Sequence, residues 1–568
     1  MDDESLTIEE AAAILGLSVA TVRRRCASGE IKARKVGRSW IVDGRALPKP
    51  VRRSTPRRSG LTSTLLDFER SIRHLKNQDL RNDVWVPDVL MHEDDLGHPE
   101  SLILAAADRV DGAALHEPAT VVPVPKSPFF PRNAANLSLT DRLAYHAVVL
   151  NAAPVVDAQL SDSVFSARTS NDGKSLLKNG RDCWLAWRRA VIAELSVDSP
   201  YMVATDITAF FDFVKHELLL PELRDSGVDQ RVIDSLRRML REWASAPNTG
   251  IPQGPDVSRV LGNFYMASVD HVMDGIEGVR YFRFMDDVRI VGSSRAEVIA
   301  ALQTLDQECR RRGLALSSKK TELHHGLEAI ESMAEAELDA VQYAFDARDD
   351  DDEDLRNELA SLFERALNDD GTVKTRWARF SLSRLFRLRD RSVLDRVLDS
   401  LENLAPLGDL VPRYLYPWMR QERVKSRITA FLLDKERNTS AYLSTWLLAA
   451  MLDNPDDLSV EWVDYARPIA LDRARPSFHR SIAINCLALG RQSRDLDAIR
   501  DLVRHEHDPE IVRAALTALR RVNRLSKDVG EASRRHPGLL DTVEYLRGRA
   551  DLPSLIFSTR RNPIDVGG

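Results

Sequence analysis

Two adjacent carboxylates, Asp286 and Asp287, lie in the middle of RYFRFMDDVRIVG, which runs from Arg280 to Gly292. Aromatic and β-branched residues alternate with charged ones on both flanks, which predicts a strand on each side. MDD then falls at a tight hairpin turn. Two neighbouring carboxylates repel each other unless a cation meets them. Asp is also common in solvated turns, and the acidic run Asp349 to Asp354 reads as such a loop. The pair alone therefore does not define a site.

Two upstream stretches add to it. In YMVATDITAFFDFVKHELL an apolar strand runs into Asp206, and Phe210, Phe211 and Asp212 then open a helix. A carboxylate at the end of a buried strand is costly unless a cation or strong donors meet it. In TGIPQGPDVSRVLGNFYMASVD, Gly250, Pro252, Gly254 and Pro255 form an irregular turn around Gln253. Such a backbone can approach a flat ligand closely. A helix follows, with Val257, Leu261 and Phe264 on one face. Asp206 and Asp286 are 80 residues apart, room for helices and a return strand. The strand carrying Asp206 can lie beside the hairpin. Three converging hard oxygen donors suit two Mg²⁺ ions, with Mn²⁺ as an alternative. Such a pair can clamp the attacking and leaving oxygens of a phosphoryl transfer.

Together these stretches resemble the palm of the reverse transcriptases, from roughly Ala119 to Glu322. TDITAFFD resembles the first palm motif, GIPQGP the second, FMDD the third and GLALSSKKTEL the fourth. FMDD departs from the commoner YADD at Phe284 and Met285. VPVPKSPFFPRNAANLSLTDRL resembles the fingers segment of bacterial members, and VFSARTS the block after it. The resemblance implies that Asp206, Asp286 and Asp287 are catalytic metal ligands. It implies that Lys126 and Arg132 meet the triphosphate of a dNTP, and that Gln253 lines the nucleotide site. It makes Phe211 a steric gate against the ribose 2′-hydroxyl, and Lys320 a proton donor to pyrophosphate.

Around this centre the chain divides. Residues 1–47 read as two short helices and a hairpin, opened by the capping box Thr7 to Glu10. EEAAAILGLS, ATVRRR, SGEI and GRSWIV resemble the winged helix-turn-helix of the excisionase and MerR-like group. That resemblance implies DNA contact by Thr21, Arg23, Arg24, Arg25 and Arg38. Thirteen Lys or Arg against two acids between Ala20 and Gly60 point the same way, on a chain of net charge −6. A domain this small binds weakly alone, so a homo-oligomer or a second contact is expected. Residues 48–60 read as a basic linker, 61–115 as a helical extension and 116–335 as fingers and palm. An acidic connector follows at 336–354, then helical repeats over 355–550 and a tail over 551–568.

The repeats rest on two similar stretches, HRSIAINCLALGR and VRAALTALRRV, 33 residues apart from Arg480 to Arg513. HDPEIVRAALTAL resembles a HEAT repeat. The usual FLG signature of a thumb is missing after Glu322. The expected fold class is thus multidomain α+β: a winged helix-turn-helix, a fingers-palm, and an all-α repeat domain in place of a thumb.

A palm fused to helical repeats resembles the bacterial abortive-infection reverse transcriptases of antiphage defence. This implies a DNA polymerase that needs no template and primes from a protein hydroxyl. Two alternatives stand beside it: a templated enzyme using a partner RNA, and a DNA-binding regulator or scaffold with an inactive palm. No apolar run of about 18 residues is present, so no membrane helix is expected. The acidic N-terminus lacks a signal region. Four scattered cysteines, Cys26, Cys183, Cys309 and Cys486, suit a reducing bacterial cytoplasm.

Overall fold

The computed structural model describes residues 61–556 apart from 83–84, 127–129, 171–175, 334–337, 339–340, 343–344, 346–352, 526–529, 531, 533–534 and 550. Of the first sixty residues it describes 5–7, 11, 22–23, 26–27, 31–36 and 39–43. There, β1 (Ser5–Leu6) and β2 (Ala33–Val36) flank β3 (Ser39–Asp43), both antiparallel to it. Ala11, Val22, Cys26, Ile31 and Val42 pack beneath. Arg23 is helical and exposed, whereas Thr21, Arg24, Arg25 and Arg38 lie outside the described residues.

A two-stranded hairpin, β4 (Thr120–Pro125) and β5 (Pro131–Asn136), carries Lys126 in its loop and Arg132 opposite Val124. Three helices lead towards the central sheet: α1 (Leu139–Ala158), α2 (Gly180–Glu194) and, after β6 (Tyr201–Asp206), α3 (His216–Asp225). The sequence predicts a helix opened by Phe210, Phe211 and Asp212. Instead, a left-handed Ala209 (φ 48°) turns the chain into a short 3₁₀ segment, Phe210–Phe213, and the α-helix begins only at His216. Next come α4 (Gln230–Trp243) and α5 (Asp256–Asp274). Val257, Leu261 and Phe264 of α5 are buried as their spacing requires.

The hairpin β7 (Val279–Phe284) and β8 (Asp287–Gly292) then returns to the sheet. The helix α6 (Arg295–Arg311) opens with a capping box of Ser294 and Glu297 and leads to β9 (Glu322–His325). The sheet order is β7-β8-β6-β9, antiparallel throughout. The central β6 is buried on both faces beyond Tyr201, which explains its unbroken apolar run.

From Glu353 to Gly548 the described elements are helical. They include α7 (Ala441–Leu452), α8 (Ser477–Leu489) and α9 (Pro509–Arg521). All of α7 beyond Ala441 is buried, as an apolar sequence without a polar face demands. The core of these helices is not theirs alone. Val86, Val89, Leu90 and Met91 enter it from the N-terminal extension, and Val122, Val124 and Ala134 enter it from the β4–β5 hairpin. Leu338, Val341 and Phe345, inside the expected acidic connector, belong to the same core. Among the described residues no helix is long and apolar enough to cross a membrane.

Candidate active site

Register puts the carboxylates together. Asp206, the last residue of β6, pairs with Asp287, the first of β8. Opposed Cα atoms in an antiparallel ladder are about 4.5–5.5 Å apart. Phe284 pairs with Asp287 across the hairpin, leaving Met285 and Asp286 as a two-residue turn. Met285 is left-handed (φ 57°), a conformation that costs a non-glycine residue energy. Three hydrogen bonds hold the turn in place, and Asn263 braces their partners. Met285 N–H donates to Ser166 Oγ (2.9 Å), and Met285 C=O accepts from Arg283 Nη1 (2.9 Å). Asp286 C=O accepts from Ile207 N–H (3.0 Å), just past Asp206. Asn263 of α5 accepts from Arg283 Nη1 (2.9 Å) and donates to Ser166 C=O (2.6 Å).

Asp206 is 6% exposed. The Lys320 ammonium bonds its Oδ2, while its Oδ1 is buried with no hydrogen-bond partner. Its carbonyl accepts from Ser317 N–H (2.9 Å), and Thr205 Oγ1 meets Thr321 Oγ1 (2.8 Å). The loop carrying Lys320 is thereby tied to β6. Burial, and then the charge of Asp206, push the Asp286 carboxyl up. Burial, and then Asp286, push Asp287 up as well, although its side chain is 53% exposed and solvent tempers the effect. Arg289 lies 4.0 Å from Asp287 and stacks on Trp187.

Asp206 Oδ1 is a buried carboxylate oxygen without a donor, and burial and neighbouring carboxylates push the two adjacent carboxyls up. Hard divalent cations fit that donor set. Among the described residues, the three metal-type ligands whose atoms all lie within 4.8 Å of one another are His98, Asp541 and Glu544. The three aspartates are not drawn that close, and Lys320 stands against Asp206.

Lys126 is exposed. Burial, followed by Lys320 and Arg132, pushes its ammonium down, while Asp206 and Asp286 pull it up. All five charges thus share one field. Phe211 is half-buried beside Phe210, with ring centroids 5.5 Å apart. Its carbonyl accepts from Ile251 N–H (3.0 Å), so the 250–255 turn lies directly on the Phe211 segment. Gln253 C=O accepts from Ala135 N–H of β5 (2.8 Å), joining that turn to the hairpin of Lys126 and Arg132.

Ser166, Asn263, Asp270 and Arg283 were not singled out by sequence reasoning. The one available signal was Arg283, a charge within a strand whose flanking aromatics point inward.

Strands bearing opposed carboxylates, with an adjoining turn and a cationic hairpin, define a nucleotidyltransferase of the polymerase-palm class. More narrowly, residues 140–351 match the family model described as reverse transcriptase (RNA-dependent DNA polymerase), and residues 5–47 match a helix-turn-helix domain. The chain therefore carries a reverse transcriptase domain and an N-terminal helix-turn-helix domain. No curated protein matches it.

Among solved structures, telomerase from Candida albicans in complex with a fragment of telomeric RNA aligns at 10% identity with a TM-score of 0.24. That alignment covers 59% of this chain and 58% of the telomerase chain. Apo telomerase from Candida tropicalis aligns at 11% identity with a TM-score of 0.27, covering 70% of each chain. The chain thus spans about 58% of the length of the first of these structures. Likeness at this level says nothing about activity.

Proposed function

We propose that this chain is a Mg²⁺-dependent DNA polymerase of reverse-transcriptase type that acts in antiphage, abortive-infection defence. It would make DNA from dNTPs without a template, priming from a protein hydroxyl. The observation that carries the polymerase reading is Asp206 opposite Asp287, with Asp286 at the adjoining turn. The defence reading is supported by the sequence resemblance and by the palm's fusion to a helical domain.

Asp206, Asp286 and Asp287 would hold two Mg²⁺ ions, or Mn²⁺, which supply charge for the attacking and leaving oxygens. Lys126 and Arg132 bind the triphosphate by charge-assisted contacts. Gln253 lines the nucleotide site, and Phe211 excludes a ribose 2′-hydroxyl. Lys320 leaves Asp206 to donate a proton to the departing pyrophosphate. The helix-turn-helix contacts DNA through Thr21, Arg23, Arg24, Arg25 and Arg38, and the protein works as a homo-oligomer in the bacterial cytoplasm.

The test is nuclease-treated protein with Mg²⁺ and each labelled dNTP, without template or primer. Label that stays with the protein on a denaturing gel, is released by protease and is absent from the Asp286→Ala, Asp287→Ala variant supports the proposal. Incorporation only after RNA template and primer are added makes the enzyme a templated reverse transcriptase. No incorporation under either condition leaves the regulator or scaffold.

A further inference from the structure

Trp85 lies at a junction of three parts of the chain. It belongs to the N-terminal extension, and the segment that follows it is embedded in the core of the C-terminal helices through Val86, Val89, Leu90 and Met91. Its own carbonyl accepts from the indole N–H of Trp446 (3.3 Å), a fully buried residue on α7. On its other side, the Trp85 indole presses on the turn around Gln253. A Cβ built on Gly254 would lie 2.4 Å from Trp85 Nε1 and 3.2 Å from Cδ1. Gly254 also has φ +142°, a region that L side chains rarely adopt. The glycine is thus required twice, by its own backbone and by the indole against it. The same virtual Cβ would lie 3.3 Å from Ala135 C=O of β5, so the turn is gripped between indole and hairpin.

We propose that Trp85 is a positioning residue for the incoming nucleotide: it makes the Gln253 turn depend on how the C-terminal helical domain is seated. Trp85 packs against the core of the C-terminal helices. Its backbone is bonded to α7, and Val86 continues directly into that core. A packed core transmits displacement rather than absorbing it. A shift of α7 therefore reaches Gly254 through one rigid side chain. Trp85 touches no reacting atom, and its effect on chemistry runs only through the turn. The inference rests on the polymerase reading above, but the contact itself does not.

The test pairs two readouts in the full chain. Hydrogen exchange of the peptide spanning Gly250 to Gly254 reports the turn without any turnover. The KM for dNTP, set against kcat, reports the nucleotide site. Trp85→Ala is expected to speed exchange in that peptide and to raise KM about tenfold with kcat little changed. Trp85→Phe, which keeps a ring against Gly254, should restore most of both. Trp446→Phe removes the hydrogen bond to the Trp85 carbonyl together with part of a buried ring, and should move both readouts the same way by less. It also serves if Trp85→Ala fails to fold.

Unchanged exchange at Gly250 to Gly254 in Trp85→Ala and Trp446→Phe would overturn the wedge. Faster exchange with unchanged KM would overturn its role in nucleotide positioning. A wild-type protein that incorporates no dNTP, yet shows the exchange effect, would remove the polymerase reading and leave the wedge standing.

Discussion

Arg283 and Asp270 are wholly buried against each other beneath the turn that presents Asp286. Arg283 Nε donates to Asp270 Oδ1 (2.7 Å) and Nη2 to Oδ2 (2.6 Å), a bidentate fork. The third nitrogen serves Asn263 and Met285 C=O. Tyr281 O–H adds a bond to Asp270 (2.9 Å). Removing one partner of a buried pair strands the other charge, so Arg283→Met should cost about 3–5 kcal/mol in chemical denaturation. Arg283→Lys keeps the charge and loses the fork. It should fold, lower kcat about 10- to 100-fold and leave the KM for dNTP nearly unchanged. A kcat equal to wild type in Arg283→Lys would show that the turn does not need this anchor.

Phe211 is the residue on which sugar discrimination is expected to rest. Its carbonyl bond to Ile251 fixes the backbone, so truncating the ring should leave the turn in place. Phe211→Ala should raise kcat/KM for rNTPs at least about tenfold relative to dNTPs. Competition between the two labelled substrates measures this ratio. An unchanged ratio would make Phe211 a packing residue only.

Glu510 gives the fold a pH dependence. Burial, and then the charge of Asp508, push its carboxyl up to about 7, against a hydrogen bond from Ser477 (2.9 Å). The unfolded chain releases this proton near the ordinary value of 4.5. Between those values the folded protein holds a proton that the unfolded chain has lost. Stability from this group is therefore full below about 4.5, falls as pH rises to about 7 and levels off above. The loss is on the order of 3 kcal/mol. In Tm measured against pH, Glu510→Gln should flatten that fall and exceed wild type at alkaline pH.

Arg513 joins α9 to the N-terminal extension. It donates to Asp94 (2.6 and 2.7 Å) and to Asp88 (2.5 and 2.9 Å). Arg513→Met would leave the buried Asp94 and the half-buried Asp88 without their cation, at a cost of about 3–5 kcal/mol. A lowered Tm should be accompanied by faster hydrogen exchange over 85–94. A Tm within about one degree of wild type would mean that the apolar seam alone holds the domains together.

The primary sequence alone determined the chemistry and its order along the chain. Asp206 ends an apolar run, Asp286 and Asp287 follow alternating arms, and Gly254 precedes a proline. Strand periodicity and turn residues are local properties, so these features could be read without a structure. Local pattern also defined β2, β3 and the buried face of α5. It placed the start of the helix after Asp206 too early, because a backbone reversal at Ala209 carries no residue signature.

Only the tertiary structure decided which groups meet. A charged residue in a strand does not announce a partner on a helix, and Arg283 finds Asp270 only when β7 packs on α5. Arg480 and Arg513 repeat at a 33-residue spacing and both are buried. Yet Arg480 bonds the nearby Glu506 (3.2 Å), whereas Arg513 reaches back more than 400 residues to Asp88 and Asp94. Sequence spacing fixes the face of a helix on which a residue lies. What that face meets depends on apolar burial across the whole chain, which here seats the β4–β5 hairpin and Trp85 within the C-terminal core.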